Sequence, residues 1–503
     1  MNRRALLRGG LSLSALSLSA LSLFTLSLFT LPASRVGAQE VELAGGATKV
    51  TPALSAYIAG SQTAAIPVAI RELAGLHIPD TLAAIVACRD LAPAKVARAF
   101  AVSQGRGARQ NTATILGTRQ RAGVVDAAFA SAMTAHSAEI NDFIPSAFVQ
   151  PGPAVVSVAL ALAEARERSG EEILRAVVAG YELAGRIPKA LGNENLRKAG
   201  IANHGVGSVF GAAAVAASLI GLPENRIGDL LTGCSQQASG SWQWLLDVEH
   251  IEKALVFAGM GARDGLEAAL LVEAGFRGVR DSLDAPSGWM MSEAFGGGDS
   301  NRRYLIDQLG ARSELSETGF KRYPVGGPTQ PAVEGLLKLL PQLDRNALFS
   351  VQIAMPGSWR SFRDAAMPAL NLRYLAAIIP EDGRLDFTAA QSLDRMADDA
   401  KVRALMAHVE IVHDAGQEAP PGEARRESAR VTVIETSGKR HEIFVPFVLG
   451  YPSHPMSRTD VEAKALELMS PQLGASRSRE VVKQAGDVDA LKSARRLAGL
   501  IAS

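Results

Sequence analysis

The hydrophobic pattern of the chain changes near Ser316, and this change limits the folds that are open to it. From Thr51 to about Leu309, Ala-rich apolar stretches recur at helical spacing and are interrupted by Gly and Pro. Beyond Ser316, short β-prone runs alternate with helical segments. Those runs are residues 348–355, 409–413, 429–435 and 441–447. We therefore expect a mainly α protein in which a large helical domain is joined to a smaller α/β domain.

Three segments of the first half have the clearest helical pattern. Residues 154–168 are apolar on nearly all sides, which is typical of a central buried helix. The next helix is predicted to begin at a capping box formed by Ser169 and Glu172 and to end before Pro188. Residues 208–220 are rich in Ala and Gly, so they would let a neighbouring backbone approach closely.

Helical patterning returns at the end of the chain, in residues 460–469 and 488–501. This return predicts that the chain ends by packing against its first domain. We accordingly assign residues 45–315 and 450–503 to the helical domain and residues 316–449 to the smaller domain.

The N-terminal segment has the pattern of an export signal. Residues 3–8 (RRALLR) pair two arginines with two leucines and a further arginine, as twin-arginine signals do. An apolar, serine-containing stretch follows, and residues 36–38 (VGA) suit signal peptidase. We expect residues 1–38 to be removed, contact with the membrane to be limited to export, and the protein to act in the periplasm or outside the cell. The alternative is that the segment is kept as a membrane anchor.

Composition and missing motifs exclude several classes of protein. The chain has 52 Lys and Arg against 51 Asp and Glu, so no charge excess points to nucleic acid. Its two cysteines, Cys88 and Cys234, are far apart and form no CxxC, which excludes a zinc ribbon. We expect buried thiols, with one disulfide as the alternative. No GxSxG, HExxH, P-loop or EF-hand motif is present, and no strand pattern precedes the glycines of residues 205–211.

Several segments occur in the order that is typical of one protein family. They are residues 127–142 (AAFASAMTAHSAEIND), 159–187, 204–222, 233–240, 253–276, 320–324 (FKRYP), 373–383 and 450–457 (GYPSHPMS). Together they make the chain resemble the MmgE/PrpD family, which includes 2-methylcitrate dehydratase, cis-aconitate decarboxylase and an iminodisuccinate epimerase. The likeness covers nearly all of the chain after the predicted signal.

This resemblance implies both a fold and a type of site. The expected fold is a large helical domain, made from the first half and the C-terminal tail, with an α/β lid domain between them and the active site in the cleft. Members of the family are typically homodimers that act on small carboxylates and need no metal or organic cofactor. Removing a proton beside a carboxylate creates negative charge that cations must stabilise, so the site should be basic.

Five positions supply the expected binding groups. Lys253 and Lys321 fall on the two lysine positions of the family, and Arg322 follows in the same motif. Tyr374 matches the aromatic residue of the lid segment, and its neighbour Arg373 could clamp a carboxylate with two hydrogen bonds. For the lysines and Arg373, the alternative is an ordinary surface role.

Two histidines are candidates for moving protons. His136 matches the histidine of the first acidic motif of the family, and Glu139 and Asp142 follow it closely enough to orient it or a neighbour. The alternative for His136 is a helix histidine that donates to a backbone carbonyl. His204 lies near the second histidine position and is the best surviving candidate, whereas Gln150, also expected in the pocket, replaces a histidine of the family.

Other departures from the family pattern narrow the chemistry. Phe143 occupies a threonine position, the histidine expected after Lys253 falls on Val256 or Phe257, and the lid motif has Gly326 and Gln330 where histidine would be offered. Dehydration needs a base and an acid within hydrogen-bond reach. Dehydration of 2-methylcitrate is therefore doubtful, whereas racemisation, isomerisation or decarboxylation of a smaller carboxylate requires fewer groups, which His204 with Lys253 or Lys321 could supply.

The leading hypothesis is a lyase or isomerase that acts on a small di- or tricarboxylate. In this hypothesis Lys253, Lys321 and Arg322 bind negative charge, and His204 or His136 moves protons. The first alternative is a non-catalytic carboxylate-binding protein on the same fold, which would lose histidines and keep lysines. The second is a scaffold or partner subunit that retains only a dimer surface.

The export signal gives a direct prediction. Replacing Arg3 and Arg4 with lysine should block export, because the receptor reads the arginine pair. The periplasmic fraction of the protein, measured by immunoblot, should fall to background while the purified protein stays unaltered. Export of the Arg3→Lys/Arg4→Lys variant at the wild-type level would contradict the assignment.

Overall fold

The part of the chain that the structure describes begins after the predicted signal. The structure is a computed structural model, and it describes residues 49–104, 111–286, 288–295, 299–420 and 427–502. The predicted signal, residues 1–38, lies outside them.

Helices of the first half pack around one buried apolar core. Their bounds are α1 Thr51–Gly60, α2 Val68–Cys88, α3 Ala92–Gln104, α4 Val124–Ala135, α5 Pro151–Arg166, α6 Gly170–Leu191, α7 Asn193–Lys198, α8 Asn203–Ile220, α9 Glu224–Gln237, α10 Ile251–Ala254, α11 Met260–Glu273 and α12 Asp299–Arg302. A short antiparallel hairpin between α3 and α4, formed by β1 Thr112–Thr114 and β2 Arg121–Gly123, was not predicted from the sequence pattern.

Residues 323–445 build a second core around a mixed sheet. Its strands are β3 Leu348–Met355, β4 Val409–His413, β5 Ala429–Glu435 and β6 Arg440–Val445. The spatial order is β4-β3-β5-β6, with β3 and β4 parallel and the other pairs antiparallel. The accompanying helices are α13 Gln330–Leu339, α14 Trp359–Arg363, α15 Leu372–Asp382, α16 Phe387–Ala390, α17 Leu393–Asp398 and α18 Ala400–Ala407. The predicted fold class, mainly α with a smaller α/β domain, is confirmed.

The chain ends in helices that contact the first core. They are α19 Arg458–Leu473, α20 Ala475–Gly486 and α21 Arg495–Ile501. Helix α19 packs against α2, and Ala465, Val481 and Leu497 belong to the same buried core as the first-half helices.

Two of the differences from the predicted helix boundaries lie in α6 and α8. The capping box of Ser169 and Glu172 is present, but α6 continues through Pro188 for three more residues. Proline has no backbone N–H, so α6 loses one backbone hydrogen bond at this position. Helix α8 begins at Asn203 rather than at residue 208, which places His204 in its first turn.

Glycines let α6 and α8 approach closely, as the composition predicted. A Cβ atom on Gly180 would lie 2.6 Å from Val215 Cγ2, and one on Gly211 would lie 2.9 Å from the Gly180 carbonyl oxygen. Helix α8 is long and apolar enough to cross a membrane by length and composition, and 94% of it is buried inside the protein. Cys88 and Cys234 are free, buried thiols, and burial raises the pKa of both.

A buried ion pair joins the C-terminal tail to α2. Lys464 Nζ donates to Asp80 Oδ1 at 2.6 Å and to the Ile140 carbonyl at 2.8 Å, and both side chains of the pair are 1% exposed. Burial opposes the charged form of each group, raising the pKa of Asp80 and lowering that of Lys464. Each charge is therefore tolerated only beside the other.

This pair predicts a large loss of stability when one member is removed. Lys464→Met should lower the free energy of unfolding by about 3–5 kcal/mol, because it leaves a buried carboxylate unpaired. The measurement is urea unfolding, with Lys401→Met as the control because that lysine side chain is 79% exposed. The double variant Asp80→Asn/Lys464→Met should lose less than Lys464→Met alone. An equal or greater loss in the double variant would show that packing, not charge, dominates.

Candidate functional site

The carboxylate of Glu139, in the turn after α4, lies at the centre of the candidate site. Its Oε1 contacts Lys253 Nζ, and its Oε2 accepts a hydrogen bond from Lys321 Nζ at 2.7 Å. The three side chains are at most 4% exposed. Burial opposes ionisation of Glu139, but the two ammoniums outweigh it and hold its pKa well below the usual value. The lysines predicted to bind a carboxylate thus hold one that the chain itself supplies.

Two buried imidazoles border this carboxylate. His250 Nε2–H donates to Glu139 Oε1 at 3.1 Å. His136 Nδ1–H donates to Asn141 Oδ1, and Asn141 Nδ2 donates to the Ala135 carbonyl at 2.6 Å, which fixes the direction of the amide. The centroids of the two imidazole rings are 5.3 Å apart.

An aromatic wall, formed by Trp244 and Phe257, lies beside the charged centre. Phe257 stacks on His204, with ring centroids 3.6 Å apart, and on His136 at 4.7 Å. It belongs to the π-helical turn Leu255–Gly259, a distortion that is frequent at functional sites. Lys253 Nζ lies 4.8 Å from the ring centroid of Trp244, within cation–π range. Phe257, at a position where the family offers histidine, therefore packs against the imidazoles of the site and cannot itself take up a proton.

His204 connects this wall to half-buried Gln150. Its Nδ1–H donates to Gln150 Oε1 at 2.9 Å. Burial is the main cause that lowers the pKa of His204, His136 and His250 below 6.5. All three imidazoles are therefore neutral near pH 7, and each has one ring nitrogen with a free lone pair.

The same residues include a set that could bind a metal ion. Ligand atoms of His136, Glu139 and His250 all lie within 4.8 Å of one another. However, Lys253 and Lys321 already contact the carboxylate of this set, and two ammoniums beside it would repel a divalent cation. The electrostatics of the cluster favour an anion.

Asp142 belongs to an adjoining polar cluster rather than to the lysine pair. Its Oδ1 accepts the Gly152 N–H at 3.0 Å, and its Oδ2 accepts the Tyr181 hydroxyl and lies 2.8 Å from His77 Nδ1. These contacts fix the start of α5. Asp142 thus holds the backbone next to the site in place and does not itself contact the two lysines among the described contacts.

The lid residues predicted for substrate binding have other partners. Arg322 pairs with Glu467 at 3.1 Å, although Lys321 beside it is buried in the site. Arg373 donates to the Met406 carbonyl and to Asp364, both at 3.0 Å. Tyr374 is buried in the second core and donates to the Ala389 carbonyl at 2.7 Å. The described structure does not bring Arg322, Arg373 and Tyr374 to Glu139.

Sequence reasoning missed His250 and Trp244. A histidine three residues before Lys253 could have indicated a further site residue, but the family pattern places its histidine after that lysine.

Gln330 occupies a lid position where histidine was expected. It donates to the Tyr323 and Val325 carbonyls at 2.7 Å and so holds a backbone turn.

Together these features define a class: a helical protein with a second α/β core and a buried site of two lysines, one carboxylate and three neutral imidazoles. Residues 52–301 match the MmgE/PrpD N-terminal domain, and residues 323–487 match the MmgE/PrpD C-terminal domain. The chain belongs to the MmgE/PrpD family, as the resemblance predicted.

Similar curated proteins come from fungi. Cis-aconitate decarboxylase of Aspergillus terreus is 27% identical over 256 residues, which cover 47% of this chain and 50% of that protein. The cis-aconitate decarboxylase-like protein oryM of Aspergillus oryzae is 23% identical over 285 residues, covering 53% of this chain and 54% of its own length. The chain thus spans about half the length of the curated relatives that it matches.

The neutral histidines predict sensitivity to mild acid. Unfolded imidazoles take up protons near pH 6.5, whereas the lowered pKa values keep these three neutral in the folded protein. The contribution of these histidines to the free energy of unfolding is therefore fully present above pH 6.5. It falls as the pH decreases below 6.5, by at most about 1.4 kcal/mol per pH unit for each histidine. His204→Gln should reduce this slope in urea unfolding between pH 6.5 and about pH 5. An unchanged slope would mean that His204 takes up its proton at the same pH in the folded and the unfolded protein.

Proposed function

We propose that this protein is a lyase or isomerase that moves a proton beside a carboxylate of a small di- or tricarboxylate. The observation that carries the proposal is the geometry around Glu139, whose two oxygens contact two buried ammoniums. That arrangement is a two-point receptor for a carboxylate. The names of the curated fungal relatives, which are cis-aconitate decarboxylases or similar to them, support the same substrate class.

The lysines would act on the charge that the reaction creates. Loss of a proton beside a carboxylate leaves an enolate-like anion, and preorganised cations in a water-poor site stabilise such an anion strongly. Each ammonium has three N–H donors. Lys321 Nζ uses one of them on Glu139. A ligand carboxylate can bind the remaining donors while Glu139 stays in place.

A neutral imidazole is the proposed proton carrier. His204 donates through Nδ1 to Gln150, so its Nε2 keeps the lone pair that a base requires. Its stacking on Phe257 holds the ring beside Lys253, whose Nζ lies 5.1 Å from the centroid of Phe257. His136 is the second candidate, because its Nδ1–H is held by Asn141 in the same way.

A non-catalytic carboxylate-binding protein is the second candidate function. The stacking of Phe257, at a position where the family offers histidine, favours it because this ring cannot titrate. We further propose that the protein acts as a homodimer outside the cytoplasm and uses no metal or organic cofactor.

The proposed function predicts both binding and proton exchange. Citrate, cis-aconitate, malate and succinate are screened by thermal shift, and solvent deuterium incorporation into those that bind is followed by NMR. At least one should bind and either exchange or turn over. Lys321→Ala should weaken its binding about 10- to 100-fold, because a lost charge-assisted hydrogen bond costs about 1.5–3 kcal/mol.

The matched control is Lys338→Ala, since this lid lysine is 55% exposed and pairs with Glu334. It should leave binding unaltered. Binding without exchange or turnover would reject the enzyme and favour the binding protein. Absence of any thermal shift, with the same profile for Lys321→Ala, would favour a scaffold.

A further inference from the structure

His250 presents an unshared ring nitrogen to the buried interior. Its side chain is 6% exposed, and its Nε2–H donates to the carboxylate of Glu139. A carboxylate only accepts, so this bond fixes the tautomer and leaves the lone pair on Nδ1. Within the described part of the chain, Nδ1 is buried and has no hydrogen-bond partner.

Such an atom is unusual, because buried polar atoms are nearly always satisfied in folded proteins. His136 repeats the arrangement: Asn141 fixes its tautomer, and among the described residues its Nε2 is buried without a partner. Two neutral imidazoles, 5.3 Å apart between ring centroids, thus keep free lone pairs beside two ammoniums.

The backbone holds His250 in a specific position. Its φ of 66° is left-handed, a conformation that a non-glycine residue adopts at a cost and that often occurs at functional sites. The Lys253 N–H donates to Asp247 Oδ2 at 2.8 Å, which closes the turn around His250. The turn places this imidazole against Glu139. His250 precedes Lys253 in the chain, whereas the π-helical turn that carries Phe257 follows it.

We propose that His250 is a proton acceptor of this site and that Glu139 orients it. His250 would take the role of the histidine that is absent at residues 256–257. The inference rests on the proposed function. In the step, the C–H bond beside the substrate carboxylate breaks, its electron pair remains on the substrate, and the proton bonds to His250 Nδ1. The resulting imidazolium is stabilised by the carboxylate of Glu139, as in other carboxylate–imidazole pairs.

The test compares His250→Gln with His441→Gln. His441 is a fitting control because its Nε2 also contacts a glutamate, Glu435, at 2.8 Å, and it is 8% exposed in the second core. With the same four carboxylates, His250→Gln should reduce the exchange or turnover rate by about 100-fold or more. Its dissociation constant should stay within about three-fold of the wild type, and His441→Gln should match the wild type in both.

Three results would overturn the role of His250. One is a His250→Gln rate within a few-fold of the wild type, and another is an equal loss of binding and rate, which a structural role would cause. The third is a tight Zn²⁺ complex of the wild type that His250→Gln abolishes. By contrast, a wild type that exchanges no proton with any of the four carboxylates contradicts the proposed function itself.

A substrate-free measurement tests the tautomer directly. The chain has eight histidines, so ¹⁵N-histidine labelling gives few signals, and the His250 signals are those lost in His250→Gln. We expect a protonated Nε2 and an unprotonated Nδ1 near pH 7. A protonated Nδ1 would overturn the proposal whatever the substrate.

Discussion

The carboxylate of Glu139 makes it possible to bury two ammonium groups in one place. A buried charge is costly unless a partner lies beside it, and here one carboxylate contacts both Lys253 and Lys321. Lys253 belongs to the helices of the first core, whereas Lys321 precedes the second core. Lys464 binds the backbone carbonyl of Ile140, the residue after Glu139, and so supports the same turn from the C-terminal helix. The position of Glu139 thus depends on three distant parts of the chain.

The aromatic ring of Phe257 packs two imidazoles of the site in buried, apolar surroundings. It stacks on His204 and on His136, and burial lowers the pKa of both imidazoles. The histidines that remain are therefore neutral acceptors, and the positive charge comes from the lysines. In the proposed function, proton transfer and charge stabilisation therefore belong to different residues, which suits a reaction that needs a base and an anion site rather than a series of acids.

The sequence predicted the elements well and the site in part. Strands β3, β4 and β5 have the predicted bounds because their β-prone runs end at turn residues, whereas β6 is shifted by one residue at its start and two at its end. The order of family segments identified residues that do meet at Glu139. The same order suggested Arg322 as well, but this side chain pairs with Glu467, because adjacent residues of a non-helical segment point in different directions. The order failed for His250 because a left-handed turn, which spacing does not encode, brings that side chain inward.

Charge balance limits how a ligand can enter this site. With the imidazoles neutral, Lys253, Lys321 and Glu139 together carry one net positive charge in a buried space. One ligand carboxylate would neutralise it, whereas a second in the same place would create an unpaired negative charge at high cost. The other carboxylates of a larger ligand would have to remain near half-buried Gln150 and Trp242, where water can solvate them. A substrate that offers one carboxylate to the lysines and keeps the rest toward solvent satisfies both requirements.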